Sequence, residues 1–121
     1  MSEPVHTFPH NRLDVYRVAI ELAVLVHRLR DRFPRGNAHL ADDMNRAAQS
    51  VVCNIAEGAN RLGAGEKRSR FSIARGEAGE CAAAAELAGA IGLVPSADAA
   101  APAAGSAAAT AGSAAAAAAA G

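Results

Sequence analysis

Five basic side chains lie close together in the middle of the chain, between positions 61 and 75. They are Arg61, Lys67, Arg68, Arg70 and Arg75, and Glu66 is the one acidic residue among them. Five cations at this density can neutralise several phosphate groups of a nucleic acid. A solvated helix start with ordinary arginines has the same composition, so the segment alone leaves both interpretations open.

The overall net charge is zero, which taken alone argues against strong attraction to a nucleic acid or a membrane. The charges are, however, distributed unevenly. The first 75 residues contain all 12 Lys and Arg together with 8 acidic residues, whereas the remaining 46 contain 4 acidic residues and no base. The part of the chain that can build a core is therefore mildly basic.

Asn54 and Glu57 form a second polar group, because a spacing of three places them on one face of a helix. Arg61 follows Glu57 by four residues, the favourable orientation for an ion pair on a continuing helix. The pair could bind a ligand. The favoured interpretation is structural: the two side chains tie the turn into the next helix, with Glu57 accepting hydrogen bonds from free N–H groups at its start.

Other residue patterns give little support for catalysis or metal binding. The Glu-x-x-His spacing of di-iron bundles occurs once, from Glu3 to His6, in a segment with two prolines, although such a site needs it on two helices. His39 and Asp43, four residues apart, are better explained by a solvated helix start than as metal ligands. Cys53 has no histidine in its segment to activate it. We therefore predict no catalytic residue, no metal, no cofactor and no enzymatic activity.

The first helix is predicted from Asn11 to Phe33, where Pro34 and Gly36 end it. One apolar line along it has alternating spacings of three and four and consists of Val15, Val18, Leu22, Leu25 and Leu29. A second line beside it consists of Tyr16, Ala19, Ile20, Ala23 and Val26. A helix with so wide an apolar surface must be covered from more than one side. Part of that cover is expected from another subunit, so we predict a homo-oligomer.

Two further helices are predicted. One starts with Asn37 as N-cap and stops at Gly58, and its buried stripe is Leu40, Met44, Ala47, Val51 and Ile55. The next runs from about Glu66 to Ile91, with a seam of mostly small residues at Phe71, Ala74, Ala78, Cys81, Ala85 and Ala88. Cys53 and Cys81 are both expected to be reduced and mostly buried, because their spacing is unlike that of a disulfide scaffold.

The chain is thus divided into an extended arm at residues 1–10, a helical domain at 11–95 and an alanine-rich segment at 96–121. Every Leu, Ile, Val, Met, Phe and Tyr lies at or before Val94, and 17 of the last 26 residues are alanine. Two interpretations of this segment are open, a disordered or frayed tail and a degenerate, alanine-rich fourth helix. We favour the tail slightly. Deletion of the tail is accordingly expected to leave the helical fold intact.

Several short motifs resemble those of a known family. They are Leu13–Tyr16, Arg46–Ala48, Asn54–Gly58, Arg70–Ala74 and Gly92–Val94. The chain is similar to the four-helix-bundle proteins of 23S rRNA intervening sequences, whose second helix ends in a string like Asn-Ile-Ala-Glu-Gly. The resemblance covers about Leu13 to Val94. The family has a full apolar fourth helix where this chain has its alanine-rich segment.

The resemblance implies an all-α, up-down helical bundle, often assembled as a pentameric ring, without known catalytic activity. A relative in fold, the accessory variability determinant of diversity-generating retroelements, works with a reverse transcriptase and nucleic acid. The resemblance favours RNA or DNA as the partner of the basic segment, through phosphate contacts that do not depend on sequence. The alternative is a protein-interaction or structural oligomer that binds no nucleic acid.

A cytoplasmic location is predicted from the absence of targeting signals. Met1–His10 contains no apolar stretch of the kind found in a signal peptide. Only the alanine-rich segment is uninterrupted enough to suggest a membrane span, and alanine is too weakly hydrophobic for that role. No contact with a membrane is therefore expected.

Overall fold

The computed structural model describes residues 8–93, 110–117 and 119–120. It contains the helices α1 (Asp14–Arg30), α2 (Ala38–Asn60) and α3 (Ala64–Ala90), preceded by a short 3-10 helix at Pro9–Arg12. A further helix, α4, occupies residues 110–117, and residues 119–120 are helical as well. Within these ranges there is no β-strand. The predicted all-α helical bundle is confirmed.

Two glycines make the sharp turns at helix ends. Gly36, between α1 and α2, has a φ of +91°, and Gly92, directly after α3, has a φ of +76°. Side chains with a Cβ rarely adopt this left-handed backbone conformation, whereas glycine does so readily. The predicted stop of α2 at Gly58 is wrong, because the helix continues to Asn60 and the backbone becomes extended at Arg61.

The buried side of α1 combines residues from both predicted apolar lines. It consists of Val15, Ala19, Leu22, Val26 and Leu29. Val18 and Leu25, which the first line placed at the centre of the seam, are only partly buried and pack against the edge of the core. The apolar surface of α1 is wide enough that its centre could not be located from spacing alone.

Helix α2 holds the centre of the described bundle, because it packs against both α1 and α3. In the described part of the chain, the backbones of α1 and α3 do not approach each other closely, although buried residues of both belong to one apolar cluster. The predicted stripe of α2 is confirmed, with Met44, Ala47, Val51 and Ile55 fully buried and Leu40 partly buried. On α3 the six predicted seam residues are also the six buried residues of the helix.

The described part of the alanine-rich segment is packed against this core. Ala111 and Ala115 on α4 are 0% exposed and belong to the same apolar cluster as the buried residues of α1, α2 and α3. A Cβ placed on Gly112 would lie 3.6 Å from the Cβ of Ala78, so α4 approaches α3 closely. The expectation of a frayed tail is therefore wrong for residues 110–117. Small residues on both helices let the backbones approach until methyl groups fill the space.

The two cysteines have different environments. Cys81 is buried, and burial, with a smaller effect of the Glu80 charge, raises the pKa of its thiol to about 11. Cys53 is exposed, so the expectation that both are buried is wrong for this residue. It lies on α2 outside the face that contacts the core, and both thiols are unpaired.

Gly58 lies at a place where α3 packs closely against α2. A Cβ at this position would lie 3.1 Å from the Cβ of Arg70 and 3.1 Å from Cε1 of Phe71. The Phe71 ring is buried in the core and the Arg70 Cβ is fixed by the backbone, so neither atom can move freely. The glycine that resembled a helix stop is therefore a packing residue in the last turns of α2.

We expect Gly58→Ala to lower the free energy of unfolding by about 1 to 2 kcal/mol, because overpacking outweighs the better helix propensity of alanine. The matched control is Gly76→Ala on α3, where a Cβ would meet nothing within 4 Å. There alanine should raise the free energy of unfolding by roughly 0.5 to 1 kcal/mol. Urea denaturation monitored by circular dichroism measures both. An equal gain in the two variants would refute the close approach.

Candidate nucleic-acid interface

The connection between α2 and α3 brings polar side chains of both helices together. Lys67 Nζ donates hydrogen bonds to the backbone carbonyl oxygens of Ala59 at 3.0 Å and Gly58 at 3.4 Å. These carbonyls belong to the last turn of α2, where a helix has unsatisfied acceptors and partial negative charge. Lys67, in the first turn of α3, therefore caps the C-terminal end of α2.

Glu57 is the centre of the polar group at this corner. Its Oε1 accepts a hydrogen bond from Arg61, and its Oε2 lies 3.4 Å from Nη1 of Arg70. The same Arg70 nitrogen lies 3.5 Å from Oδ1 of Asn54, and Nδ2 of Asn54 donates to the backbone oxygen of Ser50 at 2.9 Å. Asn54 and Glu57 thus tie α2 to α3, as expected. They do so through the guanidinium groups of arginines, whereas the expected partners were backbone N–H groups.

The charges of this corner compensate one another in part. The hydrogen bond from Arg61 holds the pKa of Glu57 below its ordinary value, against partial desolvation and with help from the Arg70 charge. The same hydrogen bond raises the pKa of Arg61. Glu66 Oε2 also lies 3.8 Å from Nη1 of Arg61. Glu57 is consequently ionised at neutral pH, and the positive charges of Arg61 and Arg70 are partly neutralised.

Arg68 and Arg75 differ from the other three bases of the segment. Both side chains are exposed, and neither forms an ion pair or hydrogen bond with any residue that the structure describes. They are seven residues apart on α3, which places them on the same face about 10 Å apart along the helix axis. Ser72, exposed and uncharged, lies between them. This pair is the uncompensated part of the basic segment.

A groove of about 550 Å³ between α3 and α4 begins at Arg75. Its other lining residues are small and uncharged: Ala78, Gly79, Ala82, Gly112, Ser113 and Ala116. Among the described residues that line the groove, Arg75 is therefore the one with a charge. A phosphate group beside Arg75 would meet no carboxylate from these lining residues.

Nothing in the described ranges extends the His39 and Asp43 pair into a metal site. His39 Nε2 lies 3.7 Å from Oδ2 of Asp43, and the imidazole is almost fully exposed. Throughout residues 8–93 and the described residues of α4, no group of three or more His, Cys, Asp or Glu side chains is arranged to hold a metal ion.

An aromatic cluster at this end of the bundle was missed by the sequence analysis. Residues 1–7 of the predicted arm lie outside the described ranges, but Phe8 and His10 pack beside Tyr16 of α1. His10 Nδ1 lies 2.8 Å from Nδ2 of Asn60, the last residue of α2. The one available signal was Pro9, since proline is common in the first position of a helix. It indicates a short helical turn here instead of an extended arm.

Comparison with known proteins supports the resemblance noted in the sequence. A family model described as "23S rRNA-intervening sequence protein" matches residues 11–103, which include the 3-10 helix, α1, α2 and α3. No curated protein matches the chain significantly. None of the described helices is both long and apolar enough to span a membrane.

Proposed function

Since the chain belongs to the family of 23S rRNA-intervening sequence proteins, we propose that it is a non-enzymatic accessory factor that binds RNA through phosphate contacts. The observation that carries this proposal is the Arg68 and Arg75 pair, exposed on one face of α3 without a described partner. A guanidinium group with no carboxylate to satisfy it is available for a bidentate contact with phosphate.

The surroundings of Arg75 favour a nucleic-acid backbone over a smaller anion. The groove beside it is otherwise lined by small residues, so a polynucleotide chain could approach the helix backbone. Phosphate contacts of this kind position a strand without reading its sequence. Arg61, Lys67 and Arg70 belong to the same proposed surface, but each has an intramolecular partner. Their contribution to binding should therefore be smaller than that of Arg68 and Arg75.

The test is a salt-titrated filter-binding assay with structured RNA, comparing the parent with the Arg68→Gln/Arg75→Gln double variant. Each phosphate contact contributes about 0.7 to 0.9 to the slope of log affinity against log salt concentration. If each arginine makes one contact, the slope should shrink by roughly 1.4 to 1.8. Affinity at low salt should fall correspondingly.

The matched control is Arg28→Gln/Arg35→Gln, which makes the same change in net charge. Arg28 and Arg35 are exposed, and their side chains have no ion pair with a described residue. This control should retain most of the parent's affinity and slope. Equal losses in both double variants would indicate a net-charge effect without a defined surface. A parent that binds no RNA at low salt would exclude the proposed function.

A second candidate function is a structural or protein-interaction oligomer. Ile20 and Val24 on α1 are partly exposed beside a shallow groove against α2, and Leu87 and Ile91 on α3 are about half exposed. Two different apolar patches on one chain suit a head-to-tail contact, which closes into a ring when the rotation permits. The pentamer, a reverse transcriptase partner and the cytoplasmic location stay predictions. Light scattering at micromolar concentration distinguishes this oligomer from a monomer.

A further inference from the structure

Three side chains with flat rings are clustered at the end of the bundle that carries the connection between α2 and α3. The ring centroids of Phe8 and His10 are 5.5 Å apart with an angle of 17° between the ring planes. The Tyr16 ring of α1 lies 4.7 Å from the His10 ring and is tilted by 56° to it, so Phe8 and His10 form the stack and Tyr16 packs against it. Phe8 remains 56% exposed and is not part of the apolar core.

Hydrogen bonds and backbone contacts hold this stack in place. The 3-10 helix Pro9–Arg12 packs against α2. The Asn60 amide nitrogen lies 2.8 Å from His10 Nδ1 and 2.7 Å from the backbone oxygen of Ala56. Since an amide nitrogen is a donor, Nδ1 of His10 accepts, and Nε2 carries the proton in the neutral ring. The imidazole thus has a fixed orientation and a second nitrogen that can donate.

Positive charge lies next to the stack along the chain. Arg12 belongs to the same 3-10 helix, is exposed and has no ion pair with a described residue. Arg61 directly follows Asn60, the residue that contacts His10. An exposed aromatic ring and a guanidinium group on the same short segment are the residue types that bind a nucleobase by stacking and a phosphate by charge.

We propose that Phe8, supported by His10 and Tyr16, is a stacking site for an unpaired base of an RNA strand, with Arg12 contacting a neighbouring phosphate. This inference rests on the proposed RNA binding and specifies the form of RNA that is bound. Bases inside a duplex are already stacked on their neighbours, so the site selects single-stranded segments such as loops and ends. The site adds a contact with nucleobases, whereas the basic segment contacts only phosphates.

The experiment uses fluorescence anisotropy with two labelled single strands of about 12 nucleotides, one with bases and one with abasic positions throughout. Both strands carry the same number of phosphates. The proteins are the parent, Phe8→Leu, Phe8→Trp and the Arg68→Gln/Arg75→Gln double variant. Phe8→Leu keeps an apolar side chain but removes the ring, and Phe8→Trp retains a ring for stacking.

Phe8→Leu should bind the base-bearing strand about 5-fold or more weakly than the parent, while binding the abasic strand equally. Phe8→Trp should bind the base-bearing strand at least as well as the parent, which separates stacking from a folding defect. The double variant should lose affinity for both strands. Equal binding of the base-bearing strand by the parent and Phe8→Leu would overturn the stacking site and leave the proposed function standing. A parent that binds neither strand at low salt would overturn the stacking site, and the filter-binding assay with structured RNA then decides separately whether the proposed function stands.

Discussion

A chain ending at Leu93 is expected to lose the cooperative unfolding transition of the full-length protein. Helices α1 and α3 both pack against α2, and their backbones do not approach each other closely in the described part of the chain. The alanines of α4 lie in the same core as the buried residues of both helices. Without α4, core residues that it approaches, such as Ala78 of α3, would face water, and a bundle of this size has little stability to lose.

A point substitution tests the same contact without removing other residues. Ala115→Asp would place a carboxylate in a position that is 0% exposed, with no basic residue on α4 to pair with it. An unpaired buried charge should lower the free energy of unfolding by at least about 3 kcal/mol. The matched control is Ala117→Asp, at an exposed position two residues later on the same helix. Ala117→Asp should lower the free energy of unfolding by at most about 0.7 kcal/mol, which is the difference in helix propensity between alanine and aspartate.

Urea denaturation of the three proteins, monitored at the helical circular dichroism band, measures these differences. Similar midpoints for Ala115→Asp and Ala117→Asp would show that α4 contributes nothing to the core. A truncated chain that unfolds as cooperatively as the parent would support the original expectation from the sequence. Small methyl groups do not exclude burial, because two alanine-rich helices can approach each other closely.

The helices that carry large apolar residues were predictable from spacing alone. On α3 the three-four pattern from Phe71 to Ala88 identified every buried position, because one face of the helix is distinct from the others. The packing of α4 could not be derived in this way. Alanine fills every position from Ala114 to Ala120, so the sequence has no periodicity that marks a buried face. Its burial depends on the small residues of α3 opposite it, such as Ala78.

The basic residues of the candidate site were predictable from the sequence, but the side chains and carbonyls that they contact were not. The sequence located the basic segment, yet the partners of Lys67 and Arg70 depend on where α2 ends. Lys67 contacts the carbonyls of Gly58 and Ala59. The prediction that α2 stops at Gly58 put the first of these residues at the end of the helix and the second outside it. The contact between His10 and Asn60 joins residues 50 positions apart. No local pattern encodes a contact over that separation.

The second large effect is expected from Leu22→Ala on α1. Leu22 is 0% exposed, lies near the middle of the helix and belongs to the apolar core. Removing most of its side chain loses its hydrophobic transfer energy and leaves a cavity, which together cost about 2 to 5 kcal/mol. The neighbours on α1 that line the same side are Ala19 and Val26, and neither is large enough to fill the space. A loss of this size is a large fraction of the roughly 5 to 15 kcal/mol that stabilises a typical domain.

Val24→Ala is the control for this substitution, because Val24 is 43% exposed on the same helix. Removing two methyl groups there opens no cavity, and alanine has the higher helix propensity, so the free energy of unfolding should change by less than about 1 kcal/mol. Thermal and urea denaturation of both variants distinguish the two positions. If Leu22→Ala melts with the parent while Val24→Ala is destabilised, the buried face of α1 is the one that carries Ile20 and Val24. The exposed apolar patch assigned to self-association would then be part of the core, and the oligomer would need a different surface.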